Sequence, residues 1–180
     1  QLAEPSDGGR PLCCGRTFLS SGLIDEAKQE ARRVIESFAP YIQKGIPIIG
    51  LEPSCLLTLR DEFQAMLPGK EADALAAKSF VIEEFMVKEL DAKRLNLSLK
   101  PLPQKKALLH GHCHQKAFAQ MSAVQKILSQ VPELETTLIE SSCCGMAGAF
   151  GYAADTVEVS KTMGERDLLP VVRTSSPDTL

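Results

Sequence analysis

Glu140-Ser141-Ser142-Cys143-Cys144-Gly145-Met146-Ala147-Gly148-Ala149-Phe150-Gly151 closes a short apolar run with two adjacent thiols and a glycine-rich turn. Neighbouring cysteines point in different directions, so a pair at the end of a strand offers two thiolates to one metal centre. The small residues beside them, Gly145 and Gly148, let the backbone come close to it. The same trio, Cys13-Cys14-Gly15, occurs near the start of the chain. Each copy leads into a small or polar loop and then a helical pattern, which reads as an internal duplication of a thiolate-bearing strand, loop and helix.

The remaining composition excludes several classes. With 180 residues, 44% apolar content and a net charge of -3, the chain has enough material for one domain or two small fused lobes. Lysines and arginines are scattered, aromatics are few and tryptophan is absent, so neither a phosphate footprint nor a base-stacking platform for nucleic acid is visible. No apolar run approaches the roughly 20 residues of a membrane span. The polar start, Gln1 to Pro11, lacks a signal core and does not begin with methionine, which is expected of an excised or processed piece. Six cysteines are sparse for a disulfide-stapled secreted scaffold, so a reducing compartment is expected. The plain alternative is buried free thiols or a disulfide or two.

Working outward, Thr136 to Glu140 reads as the strand that delivers Cys143 and Cys144, and Asp155 to Val172 as a helical segment interrupted by Gly164 and Pro170. Upstream, Lys105 to Leu109 reads as a strand running into His110-Gly111-His112-Cys113-His114-Gln115, with a helix from Lys116 to Gln130. Leu95 to Gln104, with two prolines, is the connector between halves 1–100 and 101–180. In the first half, Leu23, Ile24, Ala27, Ala31, Val34, Ile35 and Phe38 recur at helical spacing, with Asp25 and Glu26 in the first turn and Pro40 expected just beyond the end. Ile46 to Leu51 reads as a strand buried on both faces. Pro53 opens a helix continued by Leu56, Leu59, Phe63 and Met66. Glu71 to Leu90 reads as one or two helices forming a lid or flank. Strands alternating with helices give the fold class: α/β, as two pseudo-repeated lobes with short parallel strands flanked by helices.

Every distinctive thiol falls at a strand-to-loop junction: Cys13, Cys14, Cys55, Cys113, Cys143 and Cys144. Such ends share one edge in open parallel sheets, so the six are expected to converge. Soft thiolates select iron-sulfur clusters, zinc or copper(I). Cys55 lies in a helix's first turn, where the dipole lowers a thiol's pKa; packing as a small apolar residue is the alternative. His110, His112 and His114 alternate around Cys113, so an extended backbone would put three imidazoles on one face and Cys113 on the other, and a turn after Gly111 would break that geometry. His112 and His114 are candidate zinc ligands or proton shuttles, with ordinary capping as the alternative.

These motifs resemble the cysteine-rich CCG domain of iron-sulfur oxidoreductases, the module of heterodisulfide reductase B subunits, glycolate oxidase iron-sulfur subunits, anaerobic glycerol-3-phosphate dehydrogenase C subunits and lactate-utilisation proteins. The family pattern is a cysteine, some 30 to 40 residues, Cys-Cys-Gly, about 35 more and Cys-x-x-Cys, usually twice. Cys113, Cys143, Cys144 and Gly145 match the opening of a second copy, and Cys13, Cys14 and Gly15 the middle of a first. Glu52-Pro53-Ser54-Cys55 stands where Cys-x-x-Cys is expected, with Glu52 in place of a cysteine. The leading cysteine of the first copy and the closing pair of the second are not found, so the domain is expected to be trimmed at both ends. The wording around Cys55 and Cys143 is similar to versions linked to FAD-dependent 2-hydroxy-acid oxidases.

The resemblance implies an electron-transfer module holding an iron-sulfur (4Fe-4S) cluster, noncubane in the best-known members, with zinc or an empty site as the outcome for a fragment. Its implied metal residues are Cys113, Cys143, Cys144, Cys55, Cys13, Cys14 and His112, with Gly145, Gly148 and Gly15 beside the cofactor; no catalytic residue is assigned. Implied partners are a flavin-containing dehydrogenase domain or subunit that carries the FAD, and a ferredoxin-like iron-sulfur domain. The implied location is cytoplasmic or peripheral at the inner face of the membrane. Two other classes compete: a zinc-binding structural or interaction module, and a thiol-disulfide reductase.

Overall fold

The computed structural model describes residues 4–180, which fall into two compact units, one ending at Phe85 and the other comprising Met86–Leu180. The fold is α/β, with short parallel strands in two small sheets flanked by helices. Among the described residues no helix is long and apolar enough to cross a membrane.

In the first unit Cys13-Cys14-Gly15 leads into the short helix α1, Arg16–Ser20, and the long α2, Ile24–Gln43. Ala27, Ala31, Val34 and Ile35 of α2 are buried, the face that the helical period of the sequence marks. Strand β1, Ile48–Gly50, is followed by α3, Pro53–Arg60, then α4, Glu62–Met66, α5, Lys70–Lys78, β2, Ser79–Val81, and α6, Ile82–Asp91, within which the boundary between units falls. β1 and β2 are parallel, Ile48 opposite Ser79 and Gly50 opposite Val81. The core joins Val34 and Ile35 of α2, Leu59 of α3, Phe63 of α4, and Ala72 and Leu75 of α5. Each fully buried large side chain here contributes roughly 2 kcal/mol of transfer free energy. That packing holds α3, which carries Cys55, in place, and Cys14 packs against the same core.

Four expectations for this half are corrected. Pro40 lies inside α2 rather than beyond it; the helix continues one turn past the proline, ending at Lys44, whose N–H donates to Tyr41 O while the Gly45 N–H donates to Ile42 O. β1 covers only three residues and leaves Ile49 39% exposed, because a two-stranded sheet does not bury both strand faces. The helix opened by Pro53 is broken at Asp61, whose φ of -128° and ψ of -77° lie outside the helical region. Finally, Glu71 to Leu90 contains a strand, β2, since Ser79-Phe80-Val81 is too short to disturb the helical pattern around it.

The second unit begins within α6 and runs through the proline-containing connector to β3, Lys106–Leu109, then α7, Cys113–Ala117, α8, Met121–Leu128, and β4, Glu135–Leu138. β3 and β4 are parallel in register from Lys106 opposite Glu135 to Leu109 opposite Leu138, with α7 and α8 as the crossover. The Cys143-Cys144 turn, a 3-10 turn at Phe150–Tyr152, α9, Val157–Arg166, and α10, Leu168–Thr174, complete the unit. The last residues run beside β3: Leu108 N–H donates to Leu180 O at 2.8 Å and Leu180 N–H to Lys106 O at 3.0 Å. The expected single helix Lys116 to Gln130 is two, because Ala119 between them adopts a φ of 55°.

Candidate metal centre

Parallel pairing brings the carboxyl ends of β3 and β4 side by side, so the segments leaving them start as neighbours. Ile139 N–H donates to Leu109 O at 2.9 Å, one residue past β4. Next along, His110 Nδ1 and Ser141 Oγ are 2.8 Å apart, joining the two departing loops. From there the first segment turns at Gly111 into α7, which starts at Cys113, and the second reaches Cys143 and Cys144. A Cβ at Gly111 would lie 2.5 Å from Met121 Sδ, so this turn packs directly on α8.

The turn overturns the extended reading of the histidines. His112 caps α7, its Nδ1 accepting the His114 N–H at 3.2 Å, and the His112 and His114 rings stack with centroids 5.4 Å apart. His112 therefore spends one ring nitrogen on the backbone. His110 points to Ser141 instead of joining them, and burial, helped by Lys116 and His112, holds its pKa below the ordinary histidine value.

Cys113 hydrogen-bonds with Cys143, and Cys144 follows Cys143 in the same turn. Burial pushes the Cys113 thiol pKa up, as do the Coulomb interaction and hydrogen bond with Cys143 and the weaker influence of Cys144, while the Lys116 ammonium pulls it down. All three are free thiols, Cys113 exposed and the other two half-buried. The Cys143 sulfur accepts the Gly145 N–H at 3.3 Å. Gly145 adopts a φ of 88°, and a Cβ there would sit 2.1 Å from the Ser160 carbonyl oxygen of α9. A Cβ on Gly164, one turn further along α9, would lie 3.1 Å from the Cys144 carbonyl oxygen. Two glycines thus let the thiol turn lie directly on a helix backbone. Gly148, with a φ of 66°, has nothing within 4 Å of a Cβ position, so it serves the turn and permits no close approach.

Two residues without any motif of their own hold the turn from outside. Lys116 Nζ donates to Ser141 O at 2.9 Å and also to Ser142 O, and Asp167 accepts from the Ser142 N–H at 3.3 Å and hydroxyl at 3.2 Å. Sequence reasoning misses both, since their partners are 25 or 26 positions away and carry no signal of the contact.

The first unit repeats the turn. Gly15 N–H donates to Cys13 Sγ at 3.5 Å, Gly15 has a φ of 74°, and its Cβ position is 3.1 Å from the Ala27 carbonyl oxygen of α2. Cys13, Cys14, Cys55 and Glu52 line one cavity of about 360 Å³ whose other walls include Leu12, Phe38, Ile49 and Leu56. Glu52 caps α3: its carboxylate accepts the Cys55 N–H at 2.5 Å and the Ser54 hydroxyl at 2.8 Å. Burial alone would raise the Glu52 pKa, and these hydrogen bonds bring it below the ordinary carboxylate value. The expected activation of Cys55 is reversed. Partial burial first, then Cys14, then the hydrogen bond and charge of Glu52 push its thiol pKa far above the ordinary value, although the residue keeps an exposed face.

Each unit thus gathers its own thiols. Among the described residues no three His, Cys, Asp or Glu side chains converge on a point suited to a single ion. The donor set of the second unit is of the kind a thiolate-held centre uses, three free thiols of which Cys113 and Cys143 meet, with a backbone amide already aimed at the Cys143 sulfur.

Comparison with known proteins agrees with the duplication. The model of the cysteine-rich domain family, CCG, matches residues 1–60 and again residues 107–170. The C subunit of the anaerobic glycerol-3-phosphate dehydrogenase of Escherichia coli (strain K12) is 31% identical over 153 residues, 84% of this chain and 38% of that protein. Lactate utilization protein A 1 of Bacillus mycoides is 28% identical over 173 residues, 91% of this chain and 66% of that protein. Lactate utilization protein A of Bacillus subtilis is 28% identical over 147 residues, 77% of this chain and 58% of that protein. The chain therefore spans between about two fifths and two thirds of these relatives. No solved structure matches it. Two matches of the family model, each containing a Cys-Cys-Gly turn laid on a helix, show that the chain belongs to the cysteine-rich CCG domain family.

Proposed function

We propose that this chain is an electron-transfer module of an iron-sulfur oxidoreductase, built from halves 1–100 and 101–180, in which Cys113, Cys143 and Cys144 hold an iron-sulfur cluster. The observation that carries the reading is the meeting of three free thiols, two from one turn and one from another segment, at the paired ends of parallel strands. A cluster gives each thiolate its own iron. The cluster supplies one-electron transfer; the protein's own groups orient the thiols, and the Gly145 N–H toward Cys143 sulfur is the kind of hydrogen bond that tunes such a centre.

The relatives' names, a dehydrogenase component and lactate-utilisation proteins, support a flavin-dependent dehydrogenase of a 2-hydroxy acid or related alcohol as electron donor, with the FAD on that partner. A ferredoxin-like iron-sulfur domain is the second partner, and the setting is cytoplasmic or peripheral at the inner membrane face. Cys13, Cys14 and Cys55 form the corresponding thiol group of the first half, where Glu52 replaces a fourth sulfur.

The test is iron, zinc and acid-labile sulfide analysis of the anaerobically prepared full-length protein and its Cys143→Ser and Cys144→Ser variants. Iron and sulfide in the parent, lost together in both variants, are expected. Unchanged metal in the variants, or equimolar zinc without sulfide in the parent, overturns the reading.

A further inference from the structure

Lys116 stands between the two segments that bring the thiols together. It lies on α7 three residues after Cys113, and its ammonium reaches across to the carbonyl oxygens of Ser141, at 2.9 Å, and Ser142, immediately before Cys143. A charge-assisted bond to main-chain oxygens fixes backbone position, not merely side-chain proximity. On the far side Asp167 takes the N–H and hydroxyl of the same Ser142, so one residue is gripped by a cation and an anion from opposite ends of the unit. His110 meets the Ser141 hydroxyl without touching its carbonyl, so Lys116 is the side chain that ties α7 to the main-chain oxygens just before Cys143.

We propose that Lys116 is the positioning residue that assembles the three-thiol site, latching the helix that begins at Cys113 to the loop that carries Cys143 and Cys144. Its positive charge lies near the sulfurs in the same stroke, so the latch also offsets the negative charge that accumulates when thiolates share a site. Lysine suits the task because a point charge with rotatable donors on a flexible stem can donate to two carbonyls at an angle, where no planar fork is needed to match a carboxylate.

The metal arm of the test rests on the function proposed above; the other arm does not. In metal-free, reduced full-length protein, a short bifunctional thiol reagent such as dibromobimane bridges Cys113 to Cys143, and peptide mapping follows the rate. Lys116→Met is expected to slow this bridge about tenfold, the lower end of what loss of an outer-shell partner costs a metal site in affinity. Lys116→Arg, which retains donors and charge, restores most of the rate. Cobalt(II) titration, read by sulfur-to-metal charge-transfer absorption, is expected to show affinity weakened by about the same factor in Lys116→Met. Should that variant unfold by circular dichroism, Lys116→Gln is compared with Lys116→Arg instead. Bridging at the parental rate in folded Lys116→Met overturns the proposal, as does equal slowing in Lys116→Arg or unfolding of both neutral variants. Slowed bridging in a protein whose parent holds no iron leaves the latch standing and removes the cluster.

Discussion

Gly145 rests against Ser160 so closely that a Cβ on the glycine would lie 2.1 Å from the serine's carbonyl oxygen. Gly145 also has a φ of 88°, a region that side-chain-bearing residues occupy only with strain. Both effects act on the same turn, and the atom in the way belongs to a helix backbone, which cannot swing aside as a side chain would. Gly145→Ala is therefore expected to destabilise the second unit by about 3 kcal/mol or more. Gly148→Ala, strained in φ but open in space, is expected to cost about 1 to 2 kcal/mol. Urea unfolding followed by hydrogen exchange in α9 separates the two; equal midpoints would show that the close approach does not matter.

How far the sequence reveals this architecture depends on distance along the chain. The two Cys-Cys-Gly trios, the amphipathic period of α2 and the proline opening α3 are local signals, and the structure has each of them at a turn or helix. The meeting of Cys113 with Cys143 follows from two legible strands whose ends the parallel sheet aligns. Lys116 and Asp167 are invisible at that level because their partners include backbone groups, which carry no sequence signature. β2 is hidden because three residues inside a helical pattern give no period of two. Cys55 shows the opposite case: the helix end is legible, but partial burial, Cys14 and the Glu52 cap together reverse the electrostatic consequence.

Glu30 of α2 keeps only 3% of its side chain exposed and is paired with Arg33 at 3.1 Å and with Arg10. The arginines differ, Arg33 being 19% exposed and Arg10 58%. Removing the less exposed cation leaves the carboxylate buried with one solvent-facing partner, whereas removing the carboxylate frees two cations that reach water. Arg33→Met is thus expected to lower the chemical-unfolding midpoint by more than Glu30→Gln does. Because Arg33 also binds Asp7 Oδ2 at 3.0 Å and the Arg10 carbonyl at 2.7 Å, its loss is further expected to speed proteolysis within residues 5–12. A larger cost for Glu30→Gln would contradict the asymmetry.

Phe63, fully buried, joins α4 to α2 and α5 through Val34, Ala72 and Leu75. Phe63→Ala is expected to remove about 3 to 5 kcal/mol from the first unit, and Phe63→Leu much less. Thermal unfolding monitored with hydrogen exchange in α2 and α5 provides the measurement. A loss under about 1 kcal/mol for the alanine variant would mean that the neighbouring Met66 and Leu67 collapse into the space.

Cys55 supplies a pH dependence of definite sign. Its thiol pKa in the folded chain lies above the ordinary 9.0, chiefly through burial and then through Cys14 and Glu52. The unfolded chain consequently releases this proton first as pH rises, so stability is level below about pH 9 and declines above it, toward the folded-state value. In reduced, metal-free protein Cys55→Ser is expected to flatten that decline. Glu52→Gln retains an oxygen to cap α3 but removes the charge beside the sulfur, so it is expected to shift the onset of Cys55 alkylation to lower pH. Iodoacetamide labelling from neutral to strongly alkaline pH, resolved by peptide, measures both. Rapid labelling of Cys55 at neutral pH in the parent would place an attacking thiolate there, and would restore the thiol-disulfide reductase as a competitor.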